Sequence, residues 1–466
     1  MTLRTLLMLW VTRVLVSAEE WELVSKPDFT AGKFSEKRPT KRYSHASAAD
    51  GAYMYVSYGY HYDHARMKAT WLQDVWKMSF QDFTWTQLHH GAEGDPSVMH
   101  ARYKLSSVMH KDTLWFFGGD DGGGPVSSHM WGSYYNDLWT LDKEGITGKV
   151  ETRGEVPPPL AGHTAVVYED RMYVFGGLTA SEKSAQDNRF LVDTNNFFSF
   201  EFATATWEKL TPIPQIHARR SHGAAVVSDV MVVFGGFSKD ERFSNMQDTH
   251  IFNFTTRHWQ EVNIEGIKPS KRGAAAAAGD SRLGAFILMG GAKCVISCDC
   301  LNDLWIFNIH TQTWREILPT AGSHIPVARH FHHGVLEPKT GYFYIFGGES
   351  YKPYAYWNDV WRIRLDGNGA MKEYVDKAEF HAGNTGDVGH MTNDLMFRTR
   401  DEDAERKVPF QKSFIQRKFN APTEAAVDVP VVWWLAVGVV VKFICVRTVW
   451  HRFCRRQAQA KKDTNL

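Results

Sequence analysis

Residues 163–177 read HTAVVYEDRMYVFGG, two apolar runs on either side of the polar turn Glu169-Asp170-Arg171, closed by a glycine doublet. Short runs rich in Val, Tyr and Phe and bounded by turn residues predict a β-hairpin. The same figure returns along the chain. A large hydrophobic residue followed by Gly-Gly stands at Phe117-Gly118-Gly119, Phe175-Gly176-Gly177, Phe234-Gly235-Gly236, Met289-Gly290-Gly291 and Phe346-Gly347-Gly348. Successive first glycines lie 58, 59, 55 and 57 residues apart, and a degenerate copy, Tyr58-Gly59-Tyr60, precedes them by the same interval. Downstream of each doublet come a variable loop and a third strand, marked by QDVW at 73–76, NDLW at 136–139, NNFF at 195–198, QDTH at 247–250, NDLW at 302–305 and NDVW at 358–361. Nine residues beyond four of these tetrapeptides stands Trp85, Trp207, Trp259 or Trp314, opening a fourth strand.

Four antiparallel strands repeated six times bury their hydrophobic faces only by stacking radially. Paired glycines suit a strand end where backbones approach too closely for a side chain. Ahead of the hairpins stand Arg42 with His45, Arg102, His163, Arg219 with His222, Arg272, and Arg329 with His330. This order, Arg and His, then Gly-Gly, then Asn-Asp-Leu-Trp and a later Trp, resembles the Kelch repeat. The resemblance implies a six-bladed β-propeller over about residues 21–375. Two closures are open to the ring. Trp21-Glu22-Leu23-Val24, which precedes Arg42 as Trp314 precedes Arg329, supplies the outer strand of the sixth blade, or Met371 to Val375 makes it locally. The N-terminal strand is favoured, because an open ring leaves edges that proteins protect.

With 53 Lys plus Arg against 52 Asp plus Glu, the chain lacks the basic field of a nucleic-acid binder. Its ordinary hydrophobic and charged content excludes disorder throughout. The two ends differ from the middle. Residues 1–18 place Arg4 ahead of an apolar stretch and Val16-Ser17-Ala18 at its end, the pattern of a signal peptide. Arg13 interrupts that stretch, and a mitochondrial targeting helix or plain extension is the alternative. Residues 429–450 are apolar save Pro430, Lys442, Arg447 and Thr448, and from Lys442 onward seven Lys or Arg face one acid. A transmembrane helix with a cytoplasmic C-terminus is expected. The alternative is an interfacial helix or a tail docked on protein. The expected organisation is a signal peptide (1–18), an all-β six-bladed Kelch-like propeller (19–375), a stalk (376–428), a C-terminal transmembrane helix (429–450) and a basic cytoplasmic tail (451–466).

In the Kelch-like arrangement the repeated Arg42, Arg102, Arg219, Arg272 and Arg329 lie near the central channel. There they either make a basic funnel or hydrogen-bond the Gly-Gly carbonyls and neighbouring blades. The loops after the doublets are individual and aromatic: Tyr60, Tyr62 and Trp71 in the first copy, Trp131, Tyr134 and Tyr135 in the second, and Tyr351, Tyr354, Tyr356 and Trp357 in the sixth. In a closed ring these copies adjoin, so the aromatics form one sector of one face, suited to a protein or glycan ligand or else packed to order the loops.

Cys294, Cys298 and Cys300 share one loop at C-x3-C-x-C, which matches no standard zinc knuckle; one disulfide and one leftover thiol are expected. His330 and His332 in RHFHHG share a strand face and suggest a metal enzyme as a second reading. Some Kelch-like propellers resemble galactose oxidase, whose Tyr–Cys crosslink this chain is ill placed to make. No nucleophile elbow or phosphate loop is found. Binding rather than catalysis, without cofactor or metal, is expected, and a cytosolic adaptor is the third reading. Asn253-Phe254-Thr255 is a glycosylation sequon.

Overall fold

The computed structural model describes residues 20–26, 38–63, 68–91, 98–122, 133–145, 147–180, 191–239, 244–294, 299–319 and 323–365. The signal, stalk, transmembrane and tail expectations, Trp131 and Cys298 fall outside these residues. Among the described residues the elements are all strands, and no helix there is long and apolar enough to cross a membrane.

Six four-stranded antiparallel sheets follow one another. Blade 1 is Ala46–Ala49, Tyr53–Ser57, Val75–Ser79 and Trp85–His89, and blade 2 is Ser106–His110, Thr113–Phe117, Leu138–Asp142 and Thr147–Val150. Blade 3 is Thr164–Tyr168, Arg171–Phe175, Phe197–Glu201 and Thr206–Leu210, with the short strand Arg153–Gly154 added in parallel at its edge. Blade 4 is Gly223–Val227, Val230–Ser238, Ser244–Asn253 and His258–Glu261, and blade 5 is Ala276–Asp280, Ala285–Ala292, Cys300–Asn308 and Thr313–Ile317. Blade 6 takes His333–Leu336, Tyr342–Phe346 and Val360–Arg364 from the end of the repeat region and Trp21–Ser25 from the chain's start. The first strands of successive blades lie against one another, and Ala46–Ala49 meets His333–Leu336 to complete the circle.

Side chains alternate across a strand, so a sheet covered on both faces needs apolar residues at successive positions. Blade 5 shows this: Ile287 and Met289 pack with blade 6, whereas Phe286 and Leu288 pack with blade 4. Among the described residues there are six apolar clusters, one per blade interface. Trp21 pairs with Ile363 and its ring lies 6.3 Å from that of Phe343, tilted, within the cluster between blades 5 and 6. Closure by the N-terminal strand is therefore what the fold uses. Truncating this large buried ring, Trp21→Ala, is expected to cost about 3 kcal/mol, read as a lower urea midpoint; an unchanged midpoint would show that the closing strand adds nothing.

Each element of the repeat has a mechanical task. Arg42, Arg102, Arg219, Arg272 and Arg329 are all at most 1% exposed. Each guanidinium forks onto the aspartate of the third strand, Asp74, Asp137, Asp248, Asp303 and Asp359 respectively, with at least one contact of 2.6–2.8 Å. Each also donates to the carbonyl of the doublet's first position: Tyr58, Gly118, Gly235, Gly290 or Gly347. The aspartates accept a further bond from Trp76, Trp139, His250, Trp305 or Trp361 two residues on. Burial alone would raise the Asp74 and Asp137 carboxyls; the facing Arg42 and Arg102 more than offset it and hold both below the usual carboxylate range. The basic-funnel alternative is thus corrected: these five charges are sealed inside blades, each paired with its own carboxylate, buried at Asp359 and part-buried in the other four.

The residue before the aspartate, or before Asn196 in blade 3, reaches the next blade. Asn136, Asn195, Asn302 and Asn358 donate to the carbonyls of Pro157, Ile216, Pro326 and Pro39, and Gln73 does the same to Met99. The doublet's second glycine donates its N–H across each interface, from Gly59, Gly119, Gly177, Gly236, Gly291 and Gly348 to Arg102, Leu160, Arg219, Arg272, Arg329 and Arg42. The first glycine is needed where the next blade presents a histidine. A Cβ on Gly176, which stands at φ 70°, would lie 2.6 Å from the Arg219 carbonyl oxygen and 2.9 Å from His222 Cε1. Blade 2 carries Leu105 in place of that histidine, and there the first position of the preceding doublet is Tyr58, left-handed at φ 60° and edge-on to Phe116.

Candidate functional site: a funnel above a backbone ring

Two residues past each repeat arginine, or past Leu160 in blade 3, the chain turns left-handed at Ser44, Lys104, Gly162, Ser221, Ala274 and Phe331, with φ between 49° and 67°. The N–H of each donates to the carbonyl of the equivalent residue in the preceding blade: Lys104 to Ser44, Gly162 to Lys104, Ser221 to Gly162, Ala274 to Ser221, Phe331 to Ala274 and Ser44 to Phe331, at 2.7–3.0 Å. The six bonds close a ring at the neck of the channel. Such a ring satisfies its backbone groups internally and fixes whatever stands above and below it. Below it lies a chamber of about 90 Å³ that His163, His222, His332 and His333 help to line.

Above it opens a funnel of about 750 Å³. Five isolated bridges join the residue before a ring position to the residue after a glycine doublet, Tyr43 with Tyr60, Tyr103 with Asp120, Ala161 with Leu178, Arg220 with Phe237 and His330 with Glu349, and all of these but Asp120 and His330 form the funnel's floor. Its walls are second-tier hairpins projecting beyond the blades, Tyr60–Asp63 with Lys68–Trp71 and Glu349–Tyr351 with Tyr354–Tyr356. Tyr43, Tyr60, Tyr62, Tyr103, Tyr351, Tyr354 and Tyr356 all line it, from blades 1, 2 and 6, together with Phe331, Lys104, Arg220, Lys352 and Glu349. The rings touch one another: Tyr43 stacks on Tyr356 at 5.4 Å and 12°, meets Tyr60 edge-on at 5.2 Å, and Tyr60 lies 5.7 Å from Tyr103. Burial pushes the Tyr60 phenol up to about 12 and holds Tyr43 and Tyr356 higher still, so all three stay neutral.

Of the aromatic residues expected at the site, Tyr60, Tyr62, Tyr351, Tyr354 and Tyr356 converge on this funnel. Trp71 stands behind Tyr60 at 5.2 Å, and Tyr134 bridges to Asp120 beside the funnel. Tyr135 caps Arg102 at 3.8 Å and donates to Asp121. Trp357 is corrected: it is 1% exposed, faces Arg329 and bonds Ser350, so it belongs to the core of blade 6. Sequence reasoning missed Tyr43, Tyr103, Phe331 and Glu349.

His330 and His332 do not converge. The left-handed Phe331 between them sends His332 Nε2 to the Met289 sulfur at 3.0 Å and His330 Nδ1 to the Glu349 carbonyl at 3.0 Å, with Cys300 Sγ 3.3 Å away. Among the described residues no group of three His, Cys, Asp or Glu is arranged to hold a metal. Cys294 is held in a disulfide, and Cys300 carries a free thiol that burial pushes up to about 11. Asn253 ends its strand at a hairpin turn, where its Oδ1 accepts from the Thr256 N–H.

A closed ring of six such blades with an aromatic funnel defines a binding scaffold, and sequence comparison gives its family. The profile of the KLHDC2/KLHL20/DRC7 Kelch-repeats domain matches residues 92–291 and 134–348, more than half of the chain, and the protein belongs to the Kelch-repeat family. It is similar to Kelch domain-containing protein 1 of Homo sapiens, 26% identical over 66% of this chain and 75% of that one. It also resembles the leucine-zipper-like transcriptional regulator 1 homolog of Drosophila melanogaster, at 28% over 57% of this chain, and acyl-CoA-binding domain-containing protein 4 of Arabidopsis thaliana, at 26% over 54%. The matched region spans only 26% and 35% of those two relatives' lengths. Among solved structures, that of YjhT superposes with a TM-score of 0.52 over 71% of this chain and 97% of its own, at 18% identity, a likeness of fold.

Proposed function

We propose that the protein is a membrane-anchored Kelch propeller that captures a protein partner in the tyrosine-lined funnel. The observation that carries this reading is the convergence of seven tyrosines from three adjoining blades on one open cavity of about 750 Å³. Tyrosines give large contact area with a polar tip at low entropic cost, and the ring of backbone bonds beneath keeps them preorganised. Replacing Tyr62, Tyr351 and Tyr354 together with Ala removes funnel wall without touching blade cores. The variant is expected to retain its thermal midpoint and to lose partner capture at least 100-fold, measured by quantitative pull-down against the wild-type chain; full capture would sink the funnel reading.

Anchoring rests on the apolar segment 429–450 with its basic flank and on the disulfide at Cys294, since structural disulfides persist in oxidising compartments. Protease protection in sealed membranes, with a glycosidase shift abolished by Asn253→Gln, is the expected result; a propeller digested without permeabilisation would place it on the cytosolic side.

A further inference from the structure

We propose that Glu349 and the tyrosines around it form a subsite for a cation, an ammonium or guanidinium group carried by the polypeptide segment that enters the funnel. The inference rests on the funnel reading and deepens it by naming the chemistry of one end of the ligand.

Charge bookkeeping inside the funnel leads there. Its three cations already have partners: Lys104 lies 3.5 Å from Asp120, Arg220 is 2.5 Å from Asp193, and Lys352 is 3.1 Å from Asp299. Glu349 is the one carboxylate among the described residues lining the cavity. Its ion-pair neighbour there is His330, whose Nε2 is 3.7 Å away and which burial lowers to about 4, leaving a neutral imidazole. A carboxylate that is 6% exposed and without a cation is costly, and among the described residues no Lys or Arg pairs with it. What faces it is aromatic. The Tyr354 hydroxyl bonds to Glu349 and lies 3.0 Å from the Tyr356 hydroxyl, Tyr356 stacks on Tyr43, and Phe331 lies 5.9 Å from Tyr43. Aromatic rings gathered beside one carboxylate make an environment that attracts organic cations, through the quadrupole of each ring and the charge of the acid.

The free and bound states differ in protonation. Burial lifts the Glu349 carboxyl to about 7, with the Tyr354 hydroxyl opposing the rise. The groups facing it are neutral at that pH: His330, the phenols of Tyr354, Tyr356 and Tyr43, and the Cys300 thiol of the adjoining blade. An entering cation favours the ionised form, so binding near neutral pH expels a proton, and affinity rises between pH 6.5 and 8.

The test titrates the full-length protein with capped peptides Ac-Gly-Gly-X-Gly-Gly-NH2, X being Lys, Arg, norleucine or Glu, by calorimetry and saturation-transfer NMR. The Lys and Arg peptides are expected to bind at least tenfold tighter than norleucine. Glu349→Gln should abolish that preference with an unchanged circular dichroism spectrum, and Glu349→Asp should restore part of it. A Lys peptide no better than norleucine, or a preference that survives Glu349→Gln, overturns the subsite. Selective binding of the Glu peptide also overturns it while leaving the funnel as the binding site. Partner capture undiminished in the Tyr62, Tyr351 and Tyr354 variant overturns the funnel itself.

Discussion

Replacing Arg329 with Leu is expected to destabilise the propeller by about 3–5 kcal/mol, because it leaves the Asp359 carboxylate buried without its counter-charge. Arg329 is fully enclosed; its guanidinium makes two bonds to Asp359 at 2.7 and 2.9 Å, one to Gly347 and one to Val327. Asp359→Asn strands the guanidinium in turn and should cost a similar amount. Blade 3 shows how the cost is avoided. Where the other blades place Arg, Asp and Trp or His, it has Leu160, Asn196 and Phe198, with Leu160 fully buried and Phe198 beside it in the cluster between blades 2 and 3. All three members of the network are replaced at once, so no charge is left unpaired. The combination of Arg329→Leu, Asp359→Asn and Trp361→Phe should therefore recover most of the loss, with a coupling energy of at least about 2 kcal/mol between the first two changes. Urea titration of the single and combined variants measures it. Simple additivity would mean that the ion pair is incidental to the blade.

Blade 3 also explains what the sequence made legible. Tandem repetition sets the packing residues against themselves six times, so Gly-Gly, the Asn-Asp pair and the outer Trp stand out even where single copies decay, as at Tyr58-Gly59. The N-terminal strand was readable because Trp21 stands before Arg42 as Trp314 does before Arg329. The floor of the funnel was hidden by the same repetition. Counting from the arginine, the fold buries that residue, turns the next one up into the funnel in four of the six blades, makes the third left-handed in the ring and packs the fourth under the neighbouring doublet. The upturned position holds Tyr43, Tyr103, Ala161, Arg220, Gly273 and His330, and its partner just after the doublet holds Tyr60, Asp120, Leu178, Phe237, Ala292 and Glu349. Both vary from blade to blade, as does the ring position that follows the first of them, whereas the arginine and the glycine doublet beside them hardly change. Variation inside an otherwise constant frame marks ligand-facing positions, and that signal points to Tyr43, Tyr103 and Glu349. The conspicuous arginines and Trp357 belong to packing: the arginines take the second of their two expected roles, bonding the doublet carbonyls, and Trp357 lies in the core of blade 6.

Acid should unfold this propeller steeply between pH 6.5 and about 4, well before its paired aspartates protonate. His45, His163, His222 and His332 occupy the fourth repeat position, each buried against the doublet of the preceding blade. Burial lowers His163 to about 3 and His333 beside it in the chamber to about 4, and holds His45, His222 and His332 well below the ordinary value; Arg219 adds to the effect at His222, and His333 followed by Arg42 at His45. His163 Nε2 bonds the Ser106 hydroxyl and His222 Nε2 that of Thr164, while their Nδ1 atoms meet no protein partner among the described residues. Below pH 6.5 the unfolded chain takes up protons at these sites and the folded chain does not, so stability falls as pH falls. Above 6.5 both states are neutral and the contribution is flat. Each histidine that stays neutral contributes a slope of about 1.4 kcal/mol per pH unit. Five together approach roughly 7 kcal/mol per unit, enough to exhaust a typical 5–15 kcal/mol within one to two units. His163→Leu, which copies the Leu105 that blade 2 carries at the same position, should reduce the slope of the urea midpoint against pH by one histidine's share. The His163→Leu, His222→Leu pair should reduce it by two. A slope indifferent to both would locate acid sensitivity outside the neck, whereas a stepwise decline would show that the residues closing the interfaces beneath the funnel also set the pH range in which the propeller stays closed.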